Sequence, residues 1–131
     1  MAKSYRELQV WQKAMDMVVA VYEVTAGFPT EEKYGLTSQI QRAAVSVPAN
    51  IAEGYARVHR GDYVHHLSIA RGSLAELETH LTIAVRLNFI QRERAVEIWS
   101  MTQEINKMLT SMILTLQGKK RASSKEPSNE E

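Results

Sequence analysis

The chain contains no cysteine and little glycine, proline or aromatic residue, and these absences narrow what it can be. Without cysteine it can form no disulfide, no zinc–thiolate site and no thiol nucleophile. No apolar run approaches the roughly 20 residues of a membrane span, and the first residues lack the apolar core of a signal peptide. We therefore expect a soluble, cytoplasmic protein without membrane association.

The chain also lacks an excess of charge of either sign, with 16 basic and 15 acidic residues. The segments 3–25, 31–58, 59–87 and 91–118 are each balanced, and the formal charge of +1 comes from the last residues. Proteins that bind nucleic acid as monomers usually carry a basic face. A phosphate-binding patch would therefore have to be assembled in three dimensions or by several subunits.

Apolar residues recur at helical spacing, and nothing alternates with the period of a strand. The pattern predicts helices at about residues 5–26, 31–57, 62–87 and 91–117, the second starting after Thr30 as N-cap. Because the connections are short, consecutive helices must be antiparallel. The sequence thus predicts an all-α, antiparallel up-down-up-down four-helix bundle.

The bundle is predicted to occupy residues 1–118. Gly118 follows the last apolar position, and residues 119–131 carry no apolar side chain larger than alanine or proline, which predicts a disordered polar tail. The apolar stripe of the fourth helix consists of Ile98, Met101, Ile105, Met108, Met112 and Leu116.

The second predicted helix contains two residues that disfavour helices, Pro48 and Gly54. A proline in a helix interior costs about 3 kcal/mol and a glycine about 1 kcal/mol relative to alanine. If helices two and three form a hairpin, the numbers of facing residues sum to about 119 or 120, as in an antiparallel pair. Pro48 then faces Gly72, where the missing side chain would admit a kinked helix. Replacing Gly72 by leucine is expected to overpack this contact.

The same register pairs two polar stripes, and the facing pairs are Arg57–Asp62, Glu53–His66, Ser46–Ser73 and Arg42–Glu76. Such stripes are typical of a solvated face, of a partly buried network that fixes helix register, or of a functional surface. All three interpretations remain open at the level of the sequence. The candidate interhelical polar network consists of Arg42, Ser46, Asn50, Glu53, His66, Arg71, Ser73 and Glu76.

Enzyme motifs are sparse. A metal–carboxylate bundle needs a carboxylate from each of two helices plus two Glu-x-x-His pairs, whereas the chain offers one Asp62-x-x-His65. The glycines lack the strand context of a phosphate-binding loop. We therefore expect no catalytic residue, no metal, no cofactor and no small-molecule substrate.

Four segments resemble a known family: Leu8 to Ala14, Phe28 to Leu36, Ala44 to Gly54 with its Asn-Ile-Ala-Glu-Gly, and Ala70 to Glu78 with its Ala-Arg-Gly-Ser. They are similar to bacterial four-helix bundle proteins encoded in intervening sequences of large-subunit ribosomal RNA genes. The resemblance covers about residues 5–90 and implies an antiparallel bundle that forms a ring-shaped homopentamer. It also implies a distant relation to the accessory variability proteins of diversity-generating retroelements, which work with a reverse transcriptase and its RNA.

These observations lead to one functional hypothesis and one alternative. The hypothesis is a non-enzymatic, self-assembling binding module whose partners are its own copies, as a homopentamer, and structured RNA or a nucleic-acid enzyme. The alternative is a protein–protein adaptor or structural oligomer with no nucleic-acid role. A surplus of large apolar residues, among them Tyr22, Tyr34 and Trp99, supports self-assembly.

A ring would repeat each arginine around its axis and could align the copies into a basic band. The competing interpretation is that Arg57 and Arg71 form ion pairs within the chain and that the basic cluster of the tail only maintains solubility. The candidate nucleic-acid contacts are Arg57, Arg60, Arg71, Lys119, Lys120 and Arg121.

Overall fold

The computed structural model describes residues 3–124, with side chains described as far as Gly118. It contains four α-helices, α1 (Gln9–Thr25), α2 (Leu36–Tyr55), α3 (Arg60–Arg86) and α4 (Arg92–Ser124). Each helix packs against two others, because α1 contacts both α2 and α4 while α3 contacts both α2 and α4. No strand occurs in the described residues. The predicted all-α four-helix bundle is therefore confirmed.

The core runs through the centre of all four helices and is formed by aliphatic side chains that are withdrawn from solvent. In α4 the buried line differs from the prediction, since Thr102, Leu109 and Ile113 are buried whereas Met101 and Met108 are only partly buried. The single hydroxyl hydrogen of Thr102 has two acceptors within reach, the carboxylate of Glu78 at 2.6 Å and the carbonyl of Trp99 at 2.8 Å, so this residue can replace an apolar one inside. The largest fully buried side chains are Met17, Ile40, Ile51, Leu67, Leu74, Leu77, Leu81, Ile98, Ile105 and Leu109.

The first two helices begin later than predicted, and each is preceded by a short 3-10 turn. Tyr5–Glu7 form the first turn, and Thr30–Glu32 form the second. Gly35 (φ −111°, ψ −114°) then interrupts the helical path. The carboxylate of Glu32 accepts from the amide of Leu36 at 3.0 Å and so caps α2. Thr30 is consequently not the N-cap, because the cap is supplied from within the 3-10 turn.

The end of α3 follows the prediction, whereas the end of α4 does not. Asn88 has φ 63° and takes the left-handed cap conformation after α3, with the amide of Phe89 bonded to the carbonyl of Ala84 at 2.9 Å. The α4 backbone continues through Gly118 to Ser124, because a glycine weakens a helix without ending it. Residues 125–131 lie outside the described part, and the disorder assigned to residues 119–131 stays a prediction.

Candidate functional site

The α2–α3 contact contains a close approach at Gly54. This glycine is buried, and a Cβ atom built on it would lie 2.8 Å from the Cβ of His66 and 3.1 Å from Cδ1 of Tyr63. Real Cβ atoms do not approach a neighbour so closely, so glycine is required here to let the helices touch. Tyr63 packs edge-on against Tyr55 with ring centroids 6.0 Å apart. Burial, and to a lesser degree Tyr55, raises the pKa of Tyr63 above its ordinary value.

A chain of hydrogen bonds crosses from α2 to α3 beside Gly54. The amide Nδ2 of Asn50 donates to Oγ and to the carbonyl oxygen of Ser46, at 3.0 and 2.9 Å. Ser73 on α3 donates its hydroxyl to Oγ of Ser46 at 2.8 Å. Because the Asn50 amide oxygen can only accept, Nδ1 of His66 must carry the hydrogen of their 3.0 Å bond. Four members of the predicted interhelical network are thus joined directly.

Glu53 and Arg57 pair with each other along α2 rather than across the hairpin. Their side chains form an ion pair of 2.6 Å at i, i+4 spacing, and both are exposed. The hydrogen bond from Arg57, its positive charge and then that of His66 hold the pKa of Glu53 below its usual value. The predicted Arg57–Asp62 pair is therefore wrong, because Glu53 lies one helical turn away and competes for the guanidinium.

Arg42 and Glu76, which the hairpin register predicts to face each other, line the same cavity. Both are exposed, and both line a cavity of about 380 Å³ together with Tyr34 and Gln39. No ion pair joins the two charges within the described part of the chain. The remaining member of the predicted network, Arg71, lies on the opposite side of α3, in a cavity shared with α4.

The predicted steric pairing of Pro48 with Gly72 is wrong. Pro48 is buried inside α2, but Gly72 is exposed, and a Cβ atom on it would meet nothing within 4 Å. The numbering sum gives the level of a residue along the hairpin and not the side of the helix on which it lies. Ser73, one residue further on, faces Ser46 across α2–α3, so Gly72 is rotated by about 100° towards α4.

The candidate nucleic-acid contacts are separated in the structure. Arg57 is held by Glu53, whereas Arg60 and Arg71 are exposed on α3 and take part in no ion pair among the described residues. Arg60 lies in the first turn of α3, and Arg71 is three helical turns further along. The side chains of Lys119, Lys120 and Arg121 lie outside the described ones, so their part in the site stays a prediction.

The family model of the 23S rRNA-intervening sequence protein matches residues 6–111. The chain belongs to this family. A crystal structure of a protein with unknown function from the S23 ribosomal protein family of Bacteroides thetaiotaomicron is similar, with 31% sequence identity and a TM-score of 0.74. The match covers 79% of the present chain and 94% of that one. No curated protein matches the chain in sequence.

Sequence reasoning missed a groove between α3 and α4, which we call the α3–α4 groove. One part, of about 430 Å³, is lined by Arg71, Gly72 and Gln103 among others. A second part, of about 280 Å³, lies towards the C-terminal end of α3 and the N-terminal end of α4, and it is lined by Arg86, Trp99 and other residues. In the sequence, the groove could have been found only by comparing the helical-wheel positions of Gly72 and Trp99. That comparison requires the rotation of each helix about its own axis, which the sequence does not show.

Glu78 ties α3 to α4 in the middle of this groove. Its Oε2 accepts from the hydroxyl of buried Thr102 at 2.6 Å and from the side-chain amide of Gln103 at 3.0 Å. The Glu78 side chain therefore reaches from α3 to α4 across the groove. Within the described residues, no group of three histidine, aspartate or glutamate side chains is placed to hold a metal ion. The described helices also include none with the length and apolarity of a membrane span.

Proposed function

We propose that this protein is a non-enzymatic helical module that assembles with its own copies and, as an oligomer, associates with RNA. The observation that supports assembly is an exposed apolar face on α1 and α2, which we call the α1–α2 face. Met15, Val19 and Tyr22 follow each other at i, i+4 and i+7 on α1, with Val19 57% and Tyr22 46% exposed. Val45 of α2 is also exposed and lines the same cavity as Tyr22.

Such a face costs free energy while it stays in water, and a second copy of the chain can cover it. Contiguous exposed apolar side chains mark interaction surfaces in soluble proteins, whereas scattered ones do not. Identical subunits that bury such a face in a closed arrangement leave no free apolar edge. The number five for this ring comes from the resemblance to the intervening sequence proteins.

Light scattering on the purified protein at micromolar concentration tests the assembly. We expect a mass several times 14.8 kDa for the wild type. Val19→Asp should lower the mass, since a buried unpaired carboxylate is costly. Val58→Asp is the matched control, because Val58 is 93% exposed in the turn before α3 and lies off the α1–α2 face. A monomeric wild type would contradict self-assembly.

The association with RNA is supported by arginines that the chain itself leaves unused. Arg60 and Arg71 are exposed and, within the described residues, form no ion pair. A ring repeats both side chains in every subunit, so an oligomer offers many more phosphate contacts than a chain with balanced charge does. The family name refers to the rRNA intervening sequence in which such genes lie, and RNA is the polyanion that we propose as the partner.

Filter binding of a structured RNA at two salt concentrations tests this association. We expect affinity to fall steeply with salt, because phosphate contacts release counterions. Truncation after Gly118 combined with Arg57→Ala and Arg60→Ala should weaken binding. Undiminished binding by this variant would exclude these residues as contacts. If no RNA binds at low salt, the RNA association is wrong.

A second candidate function, protein–protein adaptation, is favoured by one specific observation. Tyr34 is 88% exposed beside Arg42 and Ser46, in the cavity between the start of α2 and Glu76. Tyrosine and arginine are enriched at the centres of protein interfaces. This function is tested if the oligomer binds no RNA. A protein partner is then isolated by pull-down and identified by mass spectrometry. Tyr34→Ala should weaken its capture, whereas the control Tyr5→Ala should not.

A further inference from the structure

We infer that the α3–α4 groove is a channel for single-stranded RNA, with a base stacked on Trp99 and phosphates held by Arg71, Arg86 and Arg92. This inference rests on the proposed RNA association. Beyond that association, it assigns a place on the chain to the RNA and specifies a single-stranded form. Four features of the groove support it, namely its openness at Gly72, its charge, its aromatic side chain and its dimensions.

Gly72 keeps one part of the groove open. It lies in the interior of α3, where glycine is less favourable than alanine, and it is exposed. A Cβ atom on it would meet nothing within 4 Å, so no packing contact of the described chain requires glycine here. Gly72 lines the cavity, so a larger side chain at this position would project into it. An occupant that needs the space accounts for the glycine, whereas packing within the bundle does not.

The groove collects the positive charge that the helices lack individually. Arg71, Arg86 and Arg92 line it, and Glu78 is the opposing charge, so three positive side chains less one negative leave a formal +2. None of the three arginines forms an ion pair within the described residues. The Glu78 carboxylate is turned to Thr102 and Gln103, which leaves the arginines as the accessible charges. The charge of the groove is therefore complementary to a polyanion.

Trp99 supplies a stacking surface between the arginines. Its side chain is 37% exposed and lies among Val85, Ala95 and Val96, in the most apolar part of the groove. A flat aromatic ring flanked by guanidinium groups matches the base and the phosphates of a nucleotide simultaneously. An inorganic anion would make no use of the indole, and a purely apolar ligand would leave the arginines unpaired.

The dimensions of the groove favour a single strand over a duplex. Arg71 and Arg86 are separated by about 22 Å along α3, at about 1.5 Å per residue. This span corresponds to about four nucleotides, which is a site size found in the single-strand binding grooves of other proteins. Packed helices have axes only about 8–10 Å apart, so the channel between them is too narrow to take a duplex. In a duplex the bases would also be stacked on each other and could not reach Trp99.

Fluorescence of the full-length oligomer tests this channel. The chain has two tryptophans, so Trp11→Phe leaves Trp99 as the reporter. A single-stranded RNA of about 12 nucleotides, long enough for the groove, should quench Trp99, and the same RNA annealed to its complement should not. Three variants remove the features that carry the inference, namely Trp99→Ala, Gly72→Leu and the double variant Arg86→Ala with Arg92→Ala. For these, affinity is measured by filter binding.

Each variant has a matched control and an expected outcome. Trp99→Ala should weaken binding about tenfold, which is the scale of one lost base–aromatic stack. The double arginine variant should reduce the slope of log affinity against log salt by about 0.7 per arginine, while Arg94→Ala on the same helix should not. Gly72→Leu should block the channel, whereas Gly61→Leu should not, because Gly61 is equally open but lies off the groove.

Different results would contradict the groove as the RNA site and the proposed function. If the wild type binds RNA but the groove variants bind it as tightly, the groove is not the RNA site and the RNA association stands. If the wild type binds neither single-stranded nor structured RNA at low salt, the RNA association itself is wrong. If an acidic peptide such as polyglutamate quenches Trp99 and RNA does not, the groove belongs to an acidic protein segment and the inference is overturned.

Discussion

Gly54 shows how a single residue without a side chain sets the distance between two helices. Its missing Cβ leaves room for the Cβ of His66 and the ring of Tyr63, which would otherwise be 2.8 and 3.1 Å away. Sequence reasoning selected Gly72 for this role, because Gly72 lies level with Pro48. Gly54 lies on the side of α2 that packs against α3, whereas Gly72 lies on an exposed side of α3, so their roles become distinct in the folded bundle.

Alanine substitutions at the two glycines should therefore have opposite effects on stability. Gly54→Ala should destabilise the protein by about 1–3 kcal/mol, since the new methyl group forces α2 and α3 apart. Gly72→Ala should stabilise it by about 0.4–1 kcal/mol, because alanine reduces the entropy of the unfolded chain and meets no neighbour. Chemical denaturation of both variants gives these values. Equal effects of the two substitutions would contradict the packing described at Gly54.

At the scale of the element, the α2–α3 hairpin combines an apolar contact with a chain of hydrogen bonds. Asn50 bridges Ser46 on its own helix and His66 on the next, and Ser73 completes the connection. These side chains are partly or fully buried. A one-turn shift of α3 against α2 would break the cross-helix bonds and leave polar groups unpaired. This geometry favours the register-fixing network among the three interpretations of the polar stripes.

Replacement of Asn50 tests the contribution of this network. Asn50→Ala should cost about 1–3 kcal/mol, because it leaves the half-buried His66 without its acceptor and removes one of the two donors to the Ser46 hydroxyl. Gln39→Ala is the control, since Gln39 is exposed on the same helix and a surface substitution changes stability by at most about 0.5 kcal/mol. Urea denaturation measures both. An Asn50→Ala variant as stable as the control would make the stripe a solvated face.

At the scale of the whole molecule, the core of the described residues extends into the C-terminal half of α4. Ile113 is the last buried residue among the described side chains, and Leu116 is the last that packs against the core. All four helices contribute to this core, so the bundle depends on residues as far as Leu116.

Truncation after Gly118 should accordingly leave the stability of the bundle nearly unchanged. We expect a difference within about 0.5 kcal/mol, as for other changes away from the core. Thermal unfolding at matched protein concentration measures it, and a matched concentration is needed because assembly would shift the midpoint. A shorter variant ending after Lys107 is the control that should unfold, since it removes Leu109 and Ile113. A large loss for the first truncation would place residues 119–131 in the folded unit.

Much of this architecture could be predicted from the pattern of apolar residues, because burial of one helix face imposes a period that is visible in the chain. The helix number, the short connections and the left-handed cap at Asn88 are confirmed. The helix starts were less predictable. The start of α2, for example, is capped by the carboxylate of Glu32, which accepts from the amide of Leu36 after a 3-10 turn. The burial of Thr102 was also missed, because its hydroxyl finds its acceptors inside the bundle, at Glu78 of the neighbouring helix and at the carbonyl of Trp99.

The candidate site was predictable only in part. Residues one or two turns apart on one helix stand on one face whatever the fold, so the polar stripe of α2 was evident, and Ser46–Ser73 followed from the hairpin register. The ion-pair partner of Arg57 was not predictable, because an ion pair depends on competing charges nearby. Glu53 offered Arg57 a closer carboxylate than Asp62 did.

The sequence by itself determined the helices, their antiparallel order and the level of each residue along the hairpin, because these follow from periodicity and connection length. Only the tertiary structure decided the azimuth of each helix, since rotation about a helix axis depends on how all four apolar faces pack together. That rotation placed Gly54 in the α2–α3 contact, turned Gly72 towards α4 and brought Arg71, Arg86 and Trp99 into one groove.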